Sequence, residues 1–463
     1  MDNGSRPAQG FEVRSDVHVG CVRSTESGDE ALRILQVIHD YLPLHSAGSE
    51  IYTANLCRAL VSAGHEVAVF TCEERRDLPQ YELLEREYDG IPVYEAIYNR
   101  IYHDLSEQWD DPQMARVFES VLDRFEPDVV HVQGLQFVGG VSSLAAAAAR
   151  TPVVLMTLHE YWWLCSRAGL MFDLKGNACE EAVPSACALC VDTYPIDRER
   201  WSDAAHGNSY SELGDRRWFA RALEGRKADM DAAYAHVDRF IAPSRFLARR
   251  FEGAGMPPEK LVVADYGFPE PDARPTRAPA ASPLRCGYVG TLSDYKGVET
   301  FARAVELSGL SGEHLQARIY GHLDWFPDVA SRLAEIAERT PTLLLEGPFS
   351  QEDREAVFAG FDVLVVPSLW WENSPLTIHE AFQRGVPVLT SDRGGMAELV
   401  AGGGGLTFPP GDAEALAGLL KELCKQPSRV DQLAAGIPAV RGLSEDVALV
   451  EQLAREVGGQ RSR

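Results

Sequence analysis

The feature that most restricts how this chain can fold is a series of short, almost continuously apolar segments separated by stretches long enough for a helix. Segments of this length, rich in Val, Ile and Leu, are typical of strands buried on both faces of a helix-covered parallel sheet. The chain is therefore expected to be an α/β protein. The predicted strands are Ile34–Asp40, Glu66–Thr71, Val129–Val132, Pro152–Glu160, Arg239–Ser244, Lys260–Gly267, Leu284–Gly290, Ala317–Gly321, Thr342–Gly347, Asp362–Ser368 and Pro387–Asp392.

A Pro- and Ala-rich stretch divides this series into two halves of similar size and predicts a linker over residues 268–283. We expect two Rossmann-like domains, at residues 31–267 and 284–440. Residues 1–30 are polar and are predicted to be a disordered leader. Residues 441–463 are predicted to form a last helix, about Ser444–Val457, which packs back on the first domain, and a tail. Parallel sheets bind ligands at the carboxyl ends of their strands, so a site is expected between the domains.

Charge and composition exclude several classes of function. The chain has 44 Lys and Arg against 69 Asp and Glu, a net charge of −25, so it lacks the clustered cations that nucleic acids require. No apolar run reaches the ~20 residues of a membrane-spanning helix, and the N-terminus has no secretory signal pattern. Nine Cys in 463 residues do not make a disulfide framework. We expect a cytoplasmic protein. Peripheral contact with a membrane, through a local basic patch, is an alternative that the composition does not exclude.

The most informative stretch is VVPSLWWENSPLTIHEAFQRGVPVLTSDRGGMAELV, Val365–Val400. Ser374 is a suitable N-cap, Pro375 fits the first helical position and Gly385 fits just past the end. These signals predict a helix over Pro375–Arg384. Free N–H groups and the helix dipole make such an N-terminus suitable for binding a phosphate.

Two carboxylates flank this anion site, Glu372 in the loop and Glu380 inside the helix. A carboxylate accepts two hydrogen bonds from a vicinal diol but repels phosphate at contact. The spacing therefore suits sugar hydroxyls beside a diphosphate. The alternative is a capping loop with two solvated carboxylates.

This stretch, continued by GGGGLTFPPGD, resembles the donor-binding region of family 4 of the retaining glycosyltransferases, which have the GT-B fold. GYVGTLSDYKGVETFARAV, HSAGSE, HEVAVFT, PDVVHVQG and IAPSRF occur in the family's order, so the resemblance covers about residues 32–457. It implies an acceptor-side first domain and a donor-side second domain facing each other across a cleft. The implied reaction moves a sugar from a nucleotide-diphosphate sugar to an acceptor hydroxyl in glycan, glycolipid or glycoside biosynthesis.

The resemblance also implies roles for single residues. Glu380 would hold the ribose hydroxyls, Glu372 the donor sugar, and Lys296 the diphosphate as a point charge. One departure is Thr291, since many members have an Arg there as a second phosphate cation. The implied catalytic residues are His159, Glu372 and Lys296. The implied donor-binding residues are Gly48, Gly290, Thr291, Lys296, Asn373, Ser374, Pro375, Leu376, Thr377 and Glu380.

The first half contributes two further features to this expected site. Gly48 would let the backbone approach a diphosphate at a helix N-terminus, although it fits a simple turn equally well. His159 ends a predicted strand and would contact the donor sugar; the alternative is a histidine bonded to a neighbouring loop. The residues that follow could line the acceptor side or pack in the core: Glu160, Tyr161 and Arg167.

Four cysteines follow, Cys165, Cys179, Cys187 and Cys190. Four thiolates can bind a structural zinc or an iron–sulfur cluster; the alternatives are reduced thiols or one regulatory disulfide. A DxD triplet, 229–231, lies in a predicted helix and is attributed to chance, so no catalytic divalent metal is expected.

Two other functions remain open. A phosphorylase or a nucleotide-sugar epimerase can use the same fold, because fold alone does not determine chemistry. A non-catalytic nucleotide-sugar-binding interaction protein is the second, and the departure at Thr291 is its only support.

Overall fold

The structure, a computed structural model, describes residues 31–100, 105–167, 169–193, 216–270, 279–350 and 352–461. The predicted leader and half of the predicted linker, residues 271–278, lie outside these residues. Among the described residues no helix combines the length and apolarity that crossing a membrane requires.

The first half of the chain builds an eight-stranded sheet in the order β3-β4-β2-β1-β5-β6-β7-β8. All neighbouring strands are parallel except β3 and β4, which are antiparallel. The central strands are buried on both faces, as their continuous apolar sequences require. The strands are β1 Arg33–Val37, β2 Glu66–Glu73, β3 Leu83–Tyr88, β4 Ile91–Ile97, β5 Val129–Val132, β6 Val153–Thr157, β7 Arg239–Ala242 and β8 Leu261–Val263.

The second half builds a six-stranded, fully parallel sheet in the order β11-β10-β9-β12-β13-β14. Its central strand, β9, pairs with β10 on one side and β12 on the other. The strands are β9 Leu284–Val289, β10 Leu315–Tyr320, β11 Leu343–Gly347, β12 Val363–Val366, β13 Val388–Ser391 and β14 Gly405–Phe408.

Helices connect the strands and cover the sheets. In the first half they are α1 Gly48–Ser62, α2 Pro112–Phe125, α3 Gly140–Arg150, α4 Pro184–Thr193, α5 Arg216–Ala233 and α6 Arg245–Gly253. In the second half they are α7 Val298–Ser308, α8 Pro327–Arg339, α9 Arg354–Ala359, α10 Leu376–Gln383, α11 Gly394–Val400, α12 Ala413–Lys425, α13 Pro427–Ala435 and α14 Leu443–Arg461.

The predicted α/β class, with two Rossmann-like parallel sheets, is confirmed. Sequence reasoning missed the β3–β4 hairpin, because LLEREY has three consecutive charged residues and lacks the continuous apolar run used to find the other strands. The Asp89–Gly90 turn between these strands has positive φ at both residues, and an Asp-Gly pair is a strong hairpin signal. The strand β14 was also missed, inside a glycine-rich segment.

The last helix, α14, packs against the first sheet's domain although it follows the second in sequence. Val450 and Leu453 are buried in one cluster with residues of α1 and β1. The Tyr52 hydroxyl on α1 donates to Asp446 at 2.9 Å. This helix therefore ties the end of the chain to the first domain.

Candidate active site

The carboxyl ends of the two sheets face each other, and loops from both meet there. One is the segment between β12 and α10, residues 367–375, called the donor loop below. The other follows β6 and begins at Leu158. Asn373 donates from its side chain to the His159 carbonyl. This contact brings together a residue from each of the two predicted half-sites.

An ion pair joins the donor loop to the turn before α7. Lys296 Nζ lies 2.6 Å from Glu372 Oε1, and Glu372 is only 6% exposed. Lys296 ends a 3₁₀ turn, and Gly297 follows it with φ +67°. A Cβ at Gly297 would lie 2.0 Å from the Pro367 carbonyl oxygen, so only glycine lets this turn pack beneath the loop. Lys296, the predicted diphosphate contact, is thus ion-paired with Glu372, the predicted sugar-binding carboxylate.

The start of α10 differs from the prediction. The helix begins at Leu376, with Pro375 as N-cap and no side-chain cap, so the prediction of Ser374 as N-cap was wrong. The Ser374 hydroxyl instead donates to Asp265 at 2.6 Å and contacts His379 Nε2 at 2.7 Å. Ser374 is used to join the two domains, because Asp265 belongs to the first. The N–H groups near Leu376 and Thr377 remain at the helix start.

Glu380 lies on α10 beside a cleft of about 760 Å³ lined by both domains. Its carboxylate pairs with Arg354. Burial raises the pKa of Glu380, and Arg354 opposes the shift. Arg354 was missed by sequence reasoning because it is 26 residues away and carries no motif. A ribose diol binding Glu380 would share the carboxylate with this guanidinium.

His159 lies two residues beyond the end of β6, and both of its ring nitrogens are engaged. Nδ1 lies 2.8 Å from the Tyr266 hydroxyl and Nε2 lies 2.7 Å from Gln133 Oε1. Burial lowers its pKa to about 3, and nearby His131 and His39 act in the same direction. His159 is therefore neutral, with Nε2–H donating to Gln133. Gln133 directly follows β5, and the strand-end rule that singled out His159 would have found it too.

Gly48 begins α1, but its neighbours change the expected role. A Cβ there would lie 3.3 Å from Leu376 Cδ1, so the glycine allows the N-terminal ends of α1 and α10 to approach closely. Glu50, 3% exposed, occupies the first turn of α1. Its carboxylate offsets the helix dipole and would repel a phosphate there. The geometry favours α10 over α1 as the phosphate-facing helix.

Glu50 also belongs to a group of potential ligands. His39, Asp40 and Glu50 bring one ligand atom each to within 4.8 Å of one another. His39 Nε2 lies 3.7 Å from Glu50 and 3.9 Å from Asp40. Both separations are longer than a hydrogen bond between the histidine and a carboxylate.

The turn after β9 contains Gly290 and Thr291. Gly290 has φ +156°, and its N–H donates to the Tyr320 carbonyl at the end of β10. The Tyr288 hydroxyl donates to the Thr291 carbonyl at 2.7 Å. Hydrogen bonds to residues of β9 and β10 thus fix this turn at the carboxyl end of β9.

The predicted acceptor-side residues have structural partners. Tyr161 is fully buried and its hydroxyl donates to the Trp371 carbonyl at 2.8 Å. It therefore packs between the domains and does not line an open surface. Burial raises the pKa of Glu160 to about 7, opposed by the Trp162 N–H and by Arg226. Arg167 donates to the Phe172 carbonyl at 2.8 Å.

The four predicted metal ligands gather in one region and form no disulfide with each other. Burial raises the pKa of Cys187 to about 11, and Cys165, Cys190 and Cys179 add to the shift. Among the residues that the structure describes, no three of these sulfur atoms fall within 4.8 Å of one another. A tetrahedral site would require them to move closer. The metal site stays a prediction.

Two family models match this chain. The first, described as a glycosyl transferase 4-like domain, matches residues 47–267. The second, glycosyl transferases group 1, matches residues 283–426. Together they span well over half of the chain, one on each sheet. Each half of the chain thus belongs to a glycosyl transferase family, the first half to the 4-like domains and the second half to group 1.

Curated relatives agree with this membership. The chain is 28% identical over 208 residues to the amylovoran biosynthesis glycosyltransferase AmsK of Erwinia amylovora, covering 43% of this chain and 51% of that protein. It is 29% identical over 202 residues to a putative colanic acid biosynthesis glycosyltransferase, WcaL, of Salmonella typhimurium, covering 42% and 48%. The matched stretch thus spans about half the length of these relatives.

Two solved structures show the fold over nearly the whole chain. Anabaena HepE in complex with UDP and glucose matches with a TM-score of 0.56 at 16% identity, covering 93% of this chain and 99% of that one. Sucrose-phosphate synthase from Thermosynechococcus elongatus matches with a TM-score of 0.59 at 17% identity, covering 93% and 98%. The fold is GT-B.

Proposed function

We propose that this protein transfers a sugar from a nucleotide-diphosphate sugar to an acceptor hydroxyl, with retention of anomeric configuration. The observation that carries the proposal is the Lys296–Glu372 pair, 2.6 Å apart, at the carboxyl end of the second sheet. Glu372 belongs to the loop whose Asn373 is bonded to His159. A cation, a buried carboxylate and a helix N-terminus meet there. A diphosphate and a sugar need this combination of partners.

In the proposed reaction the bond between the sugar's anomeric carbon and the diphosphate oxygen breaks, and a bond to the acceptor oxygen forms on the same face. The acceptor proton passes to a leaving phosphate oxygen. Lys296 and the N–H groups of Leu376 and Thr377 would stabilise the charge that grows on the diphosphate. Glu372 would accept hydrogen bonds from sugar hydroxyls, and Glu380 from the ribose. Closure of the cleft would exclude water.

The donor class draws support from a protein of the same fold, Anabaena HepE, that was solved with UDP and with UDP-glucose. The acceptor class draws support from curated relatives named for amylovoran and colanic acid biosynthesis. We therefore propose a hydroxyl of a growing polysaccharide or glycolipid as acceptor, and a cytoplasmic location with peripheral contact to the membrane. The first domain, residues 31–267, would bind the acceptor and residues 284–440 the donor.

A thermal-shift panel tests the donor class. UDP, GDP, ADP and their sugars are each added to the full chain, with inorganic phosphate as control. A binder at 100 times its Kd adds about 2.7 kcal/mol to the free energy of unfolding, so one nucleotide is expected to raise the Tm by several degrees. If no nucleotide or nucleotide sugar raises the Tm, the proposal is wrong.

We further propose that Cys165, Cys179, Cys187 and Cys190 hold a structural metal. Arg226 supports this, because it is 5% exposed and the titratable groups acting on it are two of these cysteines and Glu160. Metal-bound thiolates would compensate its buried charge.

Purified protein should contain about one zinc, or iron with sulfide, per chain. Replacing Cys187 and Cys190 with Ser should release the metal and leave nucleotide binding intact. Metal-free protein with a protease-resistant 165–190 region would contradict the assignment.

A further inference from the structure

Two adjacent tryptophans of the donor loop bind the segment that carries the cysteines, the described residues 161–167 and 169–190, called the cysteine segment below. Trp371 Nε1 donates to the Cys179 carbonyl at 3.0 Å. Trp370 Nε1 donates to the Leu170 carbonyl. In the other direction, the Tyr161 hydroxyl donates to the Trp371 carbonyl at 2.8 Å. These three hydrogen bonds join the two domains at the cleft.

Arg250 on α6 reinforces the same contact. Its Nη2 donates to the Cys179 carbonyl at 2.7 Å, so this oxygen accepts from both Arg250 and Trp371. The guanidinium also lies 5.0 Å from the centre of the Trp371 ring. Phe246 stacks on that ring, with centroids 5.3 Å apart. The indole of Trp371 is therefore fixed by hydrogen bonding, by a cation–π contact and by stacking.

The same two tryptophans hold the proposed chemical groups. Lys296 Nζ lies 5.0 Å from the centre of the Trp370 ring. The Glu372 N–H donates to the Trp370 carbonyl at 3.0 Å. Glu372 directly follows Trp371, and its carboxylate carries the ion pair with Lys296. A movement of the tryptophans must therefore move Glu372 and Lys296.

We propose that Trp371 and Arg250 are positioning residues, and that the cysteine segment sets the position of Glu372 and Lys296 through them. The inference rests on the proposed transfer reaction. The donor loop has no regular secondary structure between β12 and α10, so its geometry depends on tertiary contacts, of which these are the contacts to the cysteine segment. Loosening them would open the cleft to water, since the contacts join the domains at its edge. Transfer would slow, and donor hydrolysis would gain relative to it.

The test compares Trp371→Phe and Arg250→Lys with two matched controls. Phe keeps the apolar ring and removes the N–H donor; Lys keeps the charge and removes the planar fork. Trp325→Phe is the aromatic control, because Trp325 is 59% exposed and stacks on His322. Arg318→Lys is the charged control, because Arg318 forms a surface pair with Glu346 at 2.8 Å.

Hydrogen–deuterium exchange of peptides covering residues 369–375 is the first readout, and it does not depend on activity. Both variants should exchange about tenfold faster there, as expected when one hydrogen bond is removed, while the controls exchange like the wild type. Exchange unchanged in Trp371→Phe and Arg250→Lys would overturn the proposal. So would an equal rise in Trp325→Phe.

Kinetics is the second readout, with UDP, GDP and ADP sugars tested in parallel. The kcat should fall about tenfold, and the ratio of donor hydrolysis to transfer should rise. The Kd of the nucleoside diphosphate should rise by a smaller factor than kcat falls, because Lys296 is one of its proposed contacts while Glu380, the other, pairs with Arg354 and not with either substituted residue.

Two outcomes of the kinetics are decisive. A fall in kcat with an equal weakening of nucleotide binding would indicate general unfolding and overturn the positioning role. A wild-type chain inert toward every nucleotide sugar would refute the proposed function, while the exchange result would stand.

Discussion

At the scale of the residue, Glu380 is the clearest case of a sequence prediction that the structure makes more specific. The spacing to Glu372 and the resemblance pointed to a ribose contact, and the structure adds the pairing with Arg354. The motif could reveal the carboxylate, because it lies inside a contiguous segment. The arginine could not be found, because it reaches Glu380 from α9 across tertiary space.

Glu380→Gln should weaken binding of the nucleoside diphosphate. A charge-assisted hydrogen bond is worth about 1.5–3 kcal/mol, so the Kd should rise at least about tenfold in calorimetry. Arg354→Met should not weaken binding in the same way, since it frees the carboxylate. Glu346→Gln, on β11, is the control. If Arg354→Met raises the Kd and Glu380→Gln does not, the contact belongs to the arginine.

His131 provides a prediction about pH. It is 1% exposed, its Nε2 lies 2.8 Å from Thr157 Oγ1, and burial lowers its pKa to about 3. Between that value and the ordinary pKa of about 6.5, the unfolded chain binds a proton that the folded chain does not. This contribution to stability is therefore complete above about pH 6.5 and decreases as the pH falls toward about 3.

His131→Gln should flatten the fall in stability on acidification. One proton corresponds to about 1.4 kcal/mol per pH unit, and urea unfolding of both proteins between about pH 4 and 7 measures the difference in slope. His159 has the same sign of shift, and burial, the largest cause of that shift, is present in both proteins, so the main part of its contribution cancels. Equal slopes would show that His131 does not stay neutral in the fold.

At the scale of the element, α11 supports the donor loop through a glycine. The Gly395 N–H donates to the Glu372 carbonyl at 2.9 Å. A Cβ at Gly395 would lie 1.5 Å from the Asn373 carbonyl oxygen. The helix start and the loop therefore touch with no room for a side chain. The sequence shows the two glycines of DRGGMAELV, but not the backbone they contact.

Gly395→Ala should displace Glu372 and Asn373, and so reduce turnover at least about tenfold, because small misplacements of reacting groups are costly. Gly418→Ala, within α12, is the matched control. Nothing lies within 4 Å of its Cβ, and alanine there should stabilise the helix by about 0.5–1 kcal/mol. Measurement of Tm and of turnover for both variants checks this. Full turnover by Gly395→Ala would mean that the loop tolerates the shift.

At the scale of the whole molecule, the sequence was a good guide to each domain and a poor guide to their contact. Parallel strands and covering helices follow from local patterns of apolar residues, so the two sheets were predictable. The contacts between domains join distant residues through backbone groups. Glu398 of α11, for example, accepts from the N–H groups of Arg245 and Phe246 at the start of α6. No periodicity in the sequence records such a pairing.

The same reasoning explains the surroundings of two residues near the cleft. Serine is a common N-cap residue, but the Ser374 hydroxyl is bonded to Asp265 and His379 and does not cap the helix. Tyr161 follows His159 in sequence, yet the donor loop covers it. In both cases the partner lies on an element whose approach is set by domain packing. Local propensity therefore gave way to tertiary contact.

Release of nucleoside diphosphate from nucleotide sugars, compared between the wild type and Lys296→Ala, tests the proposed transfer at its chemical step. Lys227→Ala is the control, because Lys227 is an exposed residue paired with Asp231. We expect the wild type and Lys227→Ala to release the nucleoside diphosphate from one nucleotide sugar. Lys296→Ala should release it about a hundredfold more slowly. Equal release by Lys296→Ala and the wild type would contradict the assignment of the leaving diphosphate to this site.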